Sequence, residues 1–172
     1  MVGSSVEGRR PARGAAAVEF ALVAPLLLVL VFGIVDYGIM LSFRQNLSQA
    51  TAEGARAAAV TQLGAAAPYD AVSKANAAIA AALGAGYSCS GALNVGGTLT
   101  KDGSTVGTCK VSSTACTSAT ACVSSTACST TSVRCTYSVT VTYDYSDHPL
   151  VPTILVPLPS TLTYTASAQG NV

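Results

Sequence analysis

Apolar residues run almost unbroken from Ala15 to Val35, and Glu19 is the only ionisable side chain among them. A helix needs roughly 20 apolar residues to cross hydrocarbon, so this run predicts a membrane-spanning helix, extending to Leu41. An ionisable group inside a span costs about 2.5 to 3.5 kcal/mol on insertion scales, which marks Glu19 as a candidate functional residue. Pro25 removes one backbone donor, a defect that membrane helices tolerate. Beyond the span Ile39, Phe43, Leu47, Ala50, Gly54 and Ala58 recur at steps of three or four, the period of one helix face. Arg44, Gln45, Gln49, Glu53 and Arg56 fall off that stripe. One continuous helix from Ala15 to about Val60 is expected, roughly 70 Å long. Its small residues Ala50, Gly54 and Ala58 form a face for close approach, expected to pack against the protein's own domain.

A second helix is predicted over 65–83, with Pro68 in its first turn, an apolar face of Val72, Ala75, Ile79 and Leu83, and Gly84 and Gly86 as its stop. From Tyr87 onward the period changes from helical to alternating, giving candidate strands at 92–99, 106–111, 133–145 and 160–168. In the longest of them Val133, Cys135, Tyr137, Val139, Val141 and Tyr143 alternate with polar residues, so one face should be buried. The last strand places Leu162, Tyr164 and Ala166 on one side. A long helix preceding two long strands implies an α+β fold, with a long N-terminal transmembrane helix extending into a small antiparallel-sheet domain.

The chain of 172 residues is half apolar and only 10% charged, with nine Lys and Arg against eight acids. That balance suits one anchor and one small domain, and it suggests no nucleic-acid surface. Three of the cations, Arg9, Arg10 and Arg13, crowd before the span, so the positive-inside rule keeps the N-terminus cytoplasmic and puts the rest outside. An ordinary secretory signal has the same basic head but a shorter core, and FGIVDYGIMLSF after the core offers no convincing small-x-small cleavage site. Asp36 and Tyr37 fit the outer interface of the span. Asn46-Leu47-Ser48 reads formally as a glycosylation acceptor but lies within a predicted helix near the membrane.

With the domain outside, Cys89, Cys109, Cys116, Cys122, Cys128 and Cys135 meet an oxidising space and become candidate disulfide partners in a cysteine-rich loop region. Thr-Ala-Cys recurs at 114–116, 120–122 and 126–128, and the even spacing puts all three cysteines on one side of an extended strand, neighbours about 20 Å apart. A disulfide needs Cα atoms within about 7 Å, so either a turn folds the stretch back or each cysteine pairs with a different strand. The three repeats lack the bulky apolar residues of a β-solenoid, and six cysteines allow fifteen pairings. The gaps between them are too wide for the usual structural zinc site, and no cofactor is implied. A single histidine, His148, few acids and no nucleophile motif leave no base and nucleophile pair, so no enzymatic activity is expected. The Asp144, Asp147 and His148 cluster reads as a solvated turn. The four-proline segment 149–159 is a candidate cover or contact patch.

The basic head, Gly14, Ala15 and the hydrophobic segment with Glu19 and Phe20 resemble the processing site of type IV prepilin-like proteins. The longer string RGAAAVEFALVAPLLLVLVFGIVDYG followed by QNLSQATAEGARAAA resembles the TadE-like pseudopilin family of tight-adherence (Flp) pilus systems. The resemblance covers about the first third of the chain and implies cleavage after Gly14 by a prepilin peptidase, leaving Ala15 as the new N-terminus. It also implies that Glu19 guides the peptidase or pairs with the amine of a neighbouring subunit, and that the partners are other pilins, pilus assembly proteins and the membrane. The expected segments are a basic leader at 1–14, a transmembrane helix at 15–41, an extracytoplasmic helical region at 42–83 and a Cys-rich, pilin-like β domain at 84–172. A minor pilin acting in pilus assembly and adhesion is the resulting expectation. The alternative is an uncleaved single-pass membrane protein with a disulfide-stabilised binding domain.

Overall fold

The computed structural model describes residues 12–61, 68–129, 131–150 and 159–170. Helix α1 spans Ala12–Thr61 without interruption, with Pro25 inside it. Helix α2 spans Pro68–Leu83, and residues 65–67 of the expected helix lie outside the described residues. Pro68 stands at the first helical position, where its missing N–H is one of the unsatisfied donors anyway, and Asp70 sits in the first turn, complementing the helix dipole. The helix closes where the Gly84 N–H donates to the Ala80 carbonyl at 3.1 Å, with Gly84 at a φ of +100°.

Six strands follow: β1 (Tyr87–Ser90), β2 (Gly96–Lys101), β3 (Ser104–Cys116), β4 (Cys122–Ser124), β5 (Arg134–Asp144) and β6 (Thr161–Gly170). All pairings are antiparallel, in the order β1-β2-β3-β5-β6, with β4 added to β3. The strand expected at 92–99 is shifted to 96–101. Asn94 holds the preceding residues in a turn, its N–H donating to the Val111 carbonyl at 2.8 Å and its Oδ1 accepting from the Ser113 N–H at 2.9 Å. Between β2 and β3 lies a two-residue Asp102-Gly103 turn with φ of 50° and 85°, the left-handed pair that matches the twist of a hairpin.

The two helices share one face of this sheet: α1 packs on β5 and β6, and α2 on α1 and β1. The core between the layers is built from Met40, Phe43, Leu47 and Ala50 of α1, Val72, Ala75 and Ile79 of α2, and Cys135, Tyr137, Val139, Val141 and Tyr143 of β5. Both expected apolar faces are therefore used, with two changes. Ile39 stays 40% exposed while Met40, two turns before Leu47 on the same helix face, is buried. Val133 is 67% exposed because it precedes the strand, and the buried alternation runs on to Tyr145 instead. The small-residue face meets α2, as expected: a Cβ built on Gly54 would lie 2.7 Å from Ile79 Cγ1. On the opposite sheet face hydroxyls pair across strands, Ser138 with Ser167 at 2.6 Å, Thr140 with Thr165 at 2.9 Å and Thr142 with Thr163 at 3.0 Å.

Three disulfides, Cys89–Cys109, Cys116–Cys122 and Cys128–Cys135, use all six cysteines, with Cα separations of 6.1, 4.0 and 5.8 Å. Both routes left open by the repeat are taken. A turn after β3 brings Cys122 opposite Cys116, whereas Cys128 reaches across to β5.

Gly54→Leu should destabilise the packed domain by about 1 to 3 kcal/mol through overpacking against Ile79, and Gly54→Ala by less. Thermal unfolding of the full chain in detergent micelles, followed by near-UV circular dichroism, checks this. Equal melting of Gly54→Leu and the unmodified chain would contradict the tight helix contact.

Candidate functional site

Among the described residues nothing covers the N-terminal half of α1. Val18, Leu22, Leu26, Leu30 and Ile34 are all more than half exposed, Phe20 is 74% exposed, and none of the most apolar window of the helix is buried. An isolated apolar cylinder of this kind has no stable place in water, because its entire circumference would have to be hydrated. From Gly14 to Ile39 it extends roughly 38 Å, enough for a hydrocarbon layer of about 30 Å.

Gly14, Ala15, Glu19 and Phe20 all lie on this bare half, exposed, within the first two to three turns of α1. Ala15 and Glu19 are four residues apart and so share one helix face. A side chain at Gly14 would meet nothing within 4 Å, so the glycine answers no packing demand among the described residues. Among the described residues Glu19 has neither a hydrogen-bond nor an ion-pair partner. Arg9 and Arg10 lie outside the described residues, as does the side chain of Arg13. A carboxylate in an apolar surface is stable in lipid only when a cation or donor reaches it from elsewhere.

At the other end of the bare segment an aromatic cluster seats the helix on the sheet. Phe43 packs edge-on against Tyr143 with ring centroids 4.7 Å apart and lies 6.5 Å from Tyr87, while Tyr145 stands 6.3 Å from Tyr143. Such edge-to-face pairs contribute about 0.5 to 1.5 kcal/mol beyond the area they bury. The Tyr143 hydroxyl donates to the His148 carbonyl at 2.9 Å, tying in the turn after β5, which also closes through the His148 N–H to the Asp144 carbonyl at 3.1 Å. The Asp144, Asp147 and His148 group is thus a turn, as expected. Burial first, and then neighbouring Tyr87 and Tyr145, push the Tyr143 phenol up to about 12. Sequence reasoning did not single out this cluster, since Phe43, Tyr87 and Tyr143 stand on three elements. Most of the proline-rich segment, 151–158, lies outside the described residues.

A bare helix of membrane length, continuous with a disulfide-bonded α+β head, fits a single-pass membrane protein. Residues 14–56 match the family model described as TadE-like protein, so the resemblance drawn from the sequence holds over a stretch that runs from Gly14 through Phe43 and Gly54. The match covers a quarter of the chain and suggests an association with Tad pilus systems. No curated protein and no solved structure matches the chain.

The Tyr143 phenol is held above its unfolded value of 10.0. The stability it contributes is therefore complete below pH 10 and lost as the pH rises towards about 12. Melting temperatures of the full chain should fall across that window, and Tyr143→Phe should fall less steeply while losing about 1 kcal/mol at neutral pH with the His148 hydrogen bond. Parallel pH profiles for the two proteins would show that the phenol is not buried as described.

Proposed function

We propose that this chain is a minor pilin, or pseudopilin, of a Flp/Tad-type pilus, with a cytoplasmic N-terminus, the span at 15–41 and the head from residue 42 outside the membrane. A prepilin peptidase removes the leader at 1–14 by cutting after Gly14, and the chain itself catalyses nothing. The observation that carries this reading is the bare apolar helix with a carboxylate near its start, Glu19, that has no partner among the described residues and lies five residues beyond Gly14.

Cleavage after Gly14 would create an ammonium group at Ala15. In a bundle of parallel spans, that cation on one subunit can lie beside Glu19 of a neighbour and offset the cost of burying both. The pair would favour neighbours at one axial offset, because sliding one helix along another leaves a charge uncompensated in hydrocarbon. The remaining exposed apolar residues then pack against other pilins or lipid, and the disulfide-bonded heads are displayed for assembly and adhesion. The TadE-like match over residues 14–56 supports this assignment, as it includes both the glycine and the acid.

Mass spectrometry of the protein from its native membrane should find a mature chain beginning at Ala15. Gly14→Glu should abolish processing, because a large charged side chain would occupy the cleavage position. Glu19→Ala should reduce pilus number by about tenfold or more, the loss expected when a buried charge is left without its partner. An intact N-terminus together with normal pili in the Glu19→Ala strain would leave instead an uncleaved anchor carrying a binding domain.

A further inference from the structure

The three disulfides occupy different surroundings. Cys109, Cys128 and Cys135 are buried in the hydrophobic core, and Cys89 is partly buried against it. Cys116–Cys122 is not part of that core: Cys122 is exposed, and Cys116 is covered by its neighbours at the end of β3. In the strand register Cys116 faces Cys122 of β4 on one side and Arg134 of β5 on the other. The Arg134 Nη2 lies 3.9 Å from the Cys116 sulfur and 3.7 Å from the Cys122 sulfur. A guanidinium is thus held against both sulfurs of a disulfide that has one buried and one exposed cysteine.

We propose that Cys116–Cys122 is a thiol–disulfide exchange site for a partner protein that presents two thiols. A neutral disulfide sulfur is a weak acceptor, so Arg134 gains little from the oxidised pair. A thiolate is a full negative charge, and a neighbouring cation lowers the pKa of the thiol that bears it. Arg134 therefore favours the products of reduction over the disulfide. In the first step a thiolate of the partner attacks the Sγ of Cys122, the exposed residue of the pair, and forms a mixed disulfide. The Cys116–Cys122 bond breaks, and its electron pair leaves on Cys116 Sγ beside Arg134. The partner's second thiol then loses its proton to water and attacks the partner sulfur of the mixed disulfide, which releases Cys122 as a thiolate. The partner departs as a disulfide, oxidised by two electrons. The two cysteines it has reduced take up protons from solvent.

Access and leaving-group stabilisation act together here, whereas the other two pairs are covered by the core to a greater extent. Their sulfurs are packed against the core, and among the described residues no guanidinium lies against them. Exchange also has a structural consequence. The three-residue β4 pairs with β3 at Thr114 to Ser124, Ala115 to Val123 and Cys116 to Cys122, and the Thr117 N–H donates to the Ala121 carbonyl at 3.0 Å in the turn between them, so breaking the covalent link leaves a short hairpin closed by hydrogen bonds alone. The end of β3 remains paired with β5 through Ser112 to Ser138 and Thr114 to Thr136, and the core stays closed.

The test is graded reduction of the full chain in detergent micelles with dithiothreitol. Free thiols are trapped at intervals with iodoacetamide, and the remaining disulfides are then reduced and alkylated with a heavy isotope of the same reagent. Peptide mass mapping should show Cys116 and Cys122 trapped first while the other four carry the heavy label. Arg134→Gln should slow reduction of that pair by about threefold or more, and Arg134→Lys should restore most of the rate. Cys89–Cys109 in the same molecules serves as the internal control, because a misfolded variant would expose both pairs. Simultaneous reduction of all three, earlier reduction of a core-facing pair, or an unchanged rate in Arg134→Gln would overturn the proposal.

Discussion

The seat of α1 on the sheet is the constraint from which the rest of this structure follows. One unbroken helix carries two different surfaces, an all-round apolar one up to Ile39 and a one-sided one from Met40 onward. The head can bury only the second, since its inner face is taken up by α1 from Met40 to Ala59 together with α2. Nothing among the described residues buries the first. The division falls at Phe43, where the aromatic cluster ends the bare segment and begins the core.

Much of this was legible in the sequence because it rests on periodicity. The step of three or four from Phe43 to Ala58 and the alternation from Cys135 to Tyr143 each depend on a single element meeting one apolar environment, and both faces appear as expected. Features made by several elements were less accessible. Cys116 and Cys122 pair only because a turn reverses the chain between them, and Cys128 pairs with β5 because that strand passes beside the loop; the even repeat of Thr-Ala-Cys is silent on both. The β2–β3 hairpin did carry a local signal, Asp102-Gly103, which identifies a two-residue turn and would have shifted the strand from 92–99 to its observed place. Ile39 and Met40 flank the same helix face, so only the position of the sheet decides which is covered.

For the candidate site the sequence was informative for a different reason. Glu19 is conspicuous because it violates its surroundings, and a violation is visible without any knowledge of the fold. Among the described residues Glu19 is exposed and without a partner, and a side chain at Gly14 would meet nothing within 4 Å. Arg134 is the opposite case. It is an ordinary polar residue at a strand end, and only the register that sets it beside Cys116 gives it a chemical role to play.

The absence of any break in α1 between the bare half and the head makes the helix a rigid crank. Each residue of a helix turns it by about 100° and advances it by about 1.5 Å. A neighbour that grips the apolar half therefore dictates both the height of the head and the compass direction in which its hydroxyl-lined sheet looks. Few degrees of freedom remain for the head to adjust by itself, and the outward appearance of any assembly of these chains is written in the contacts made far below it.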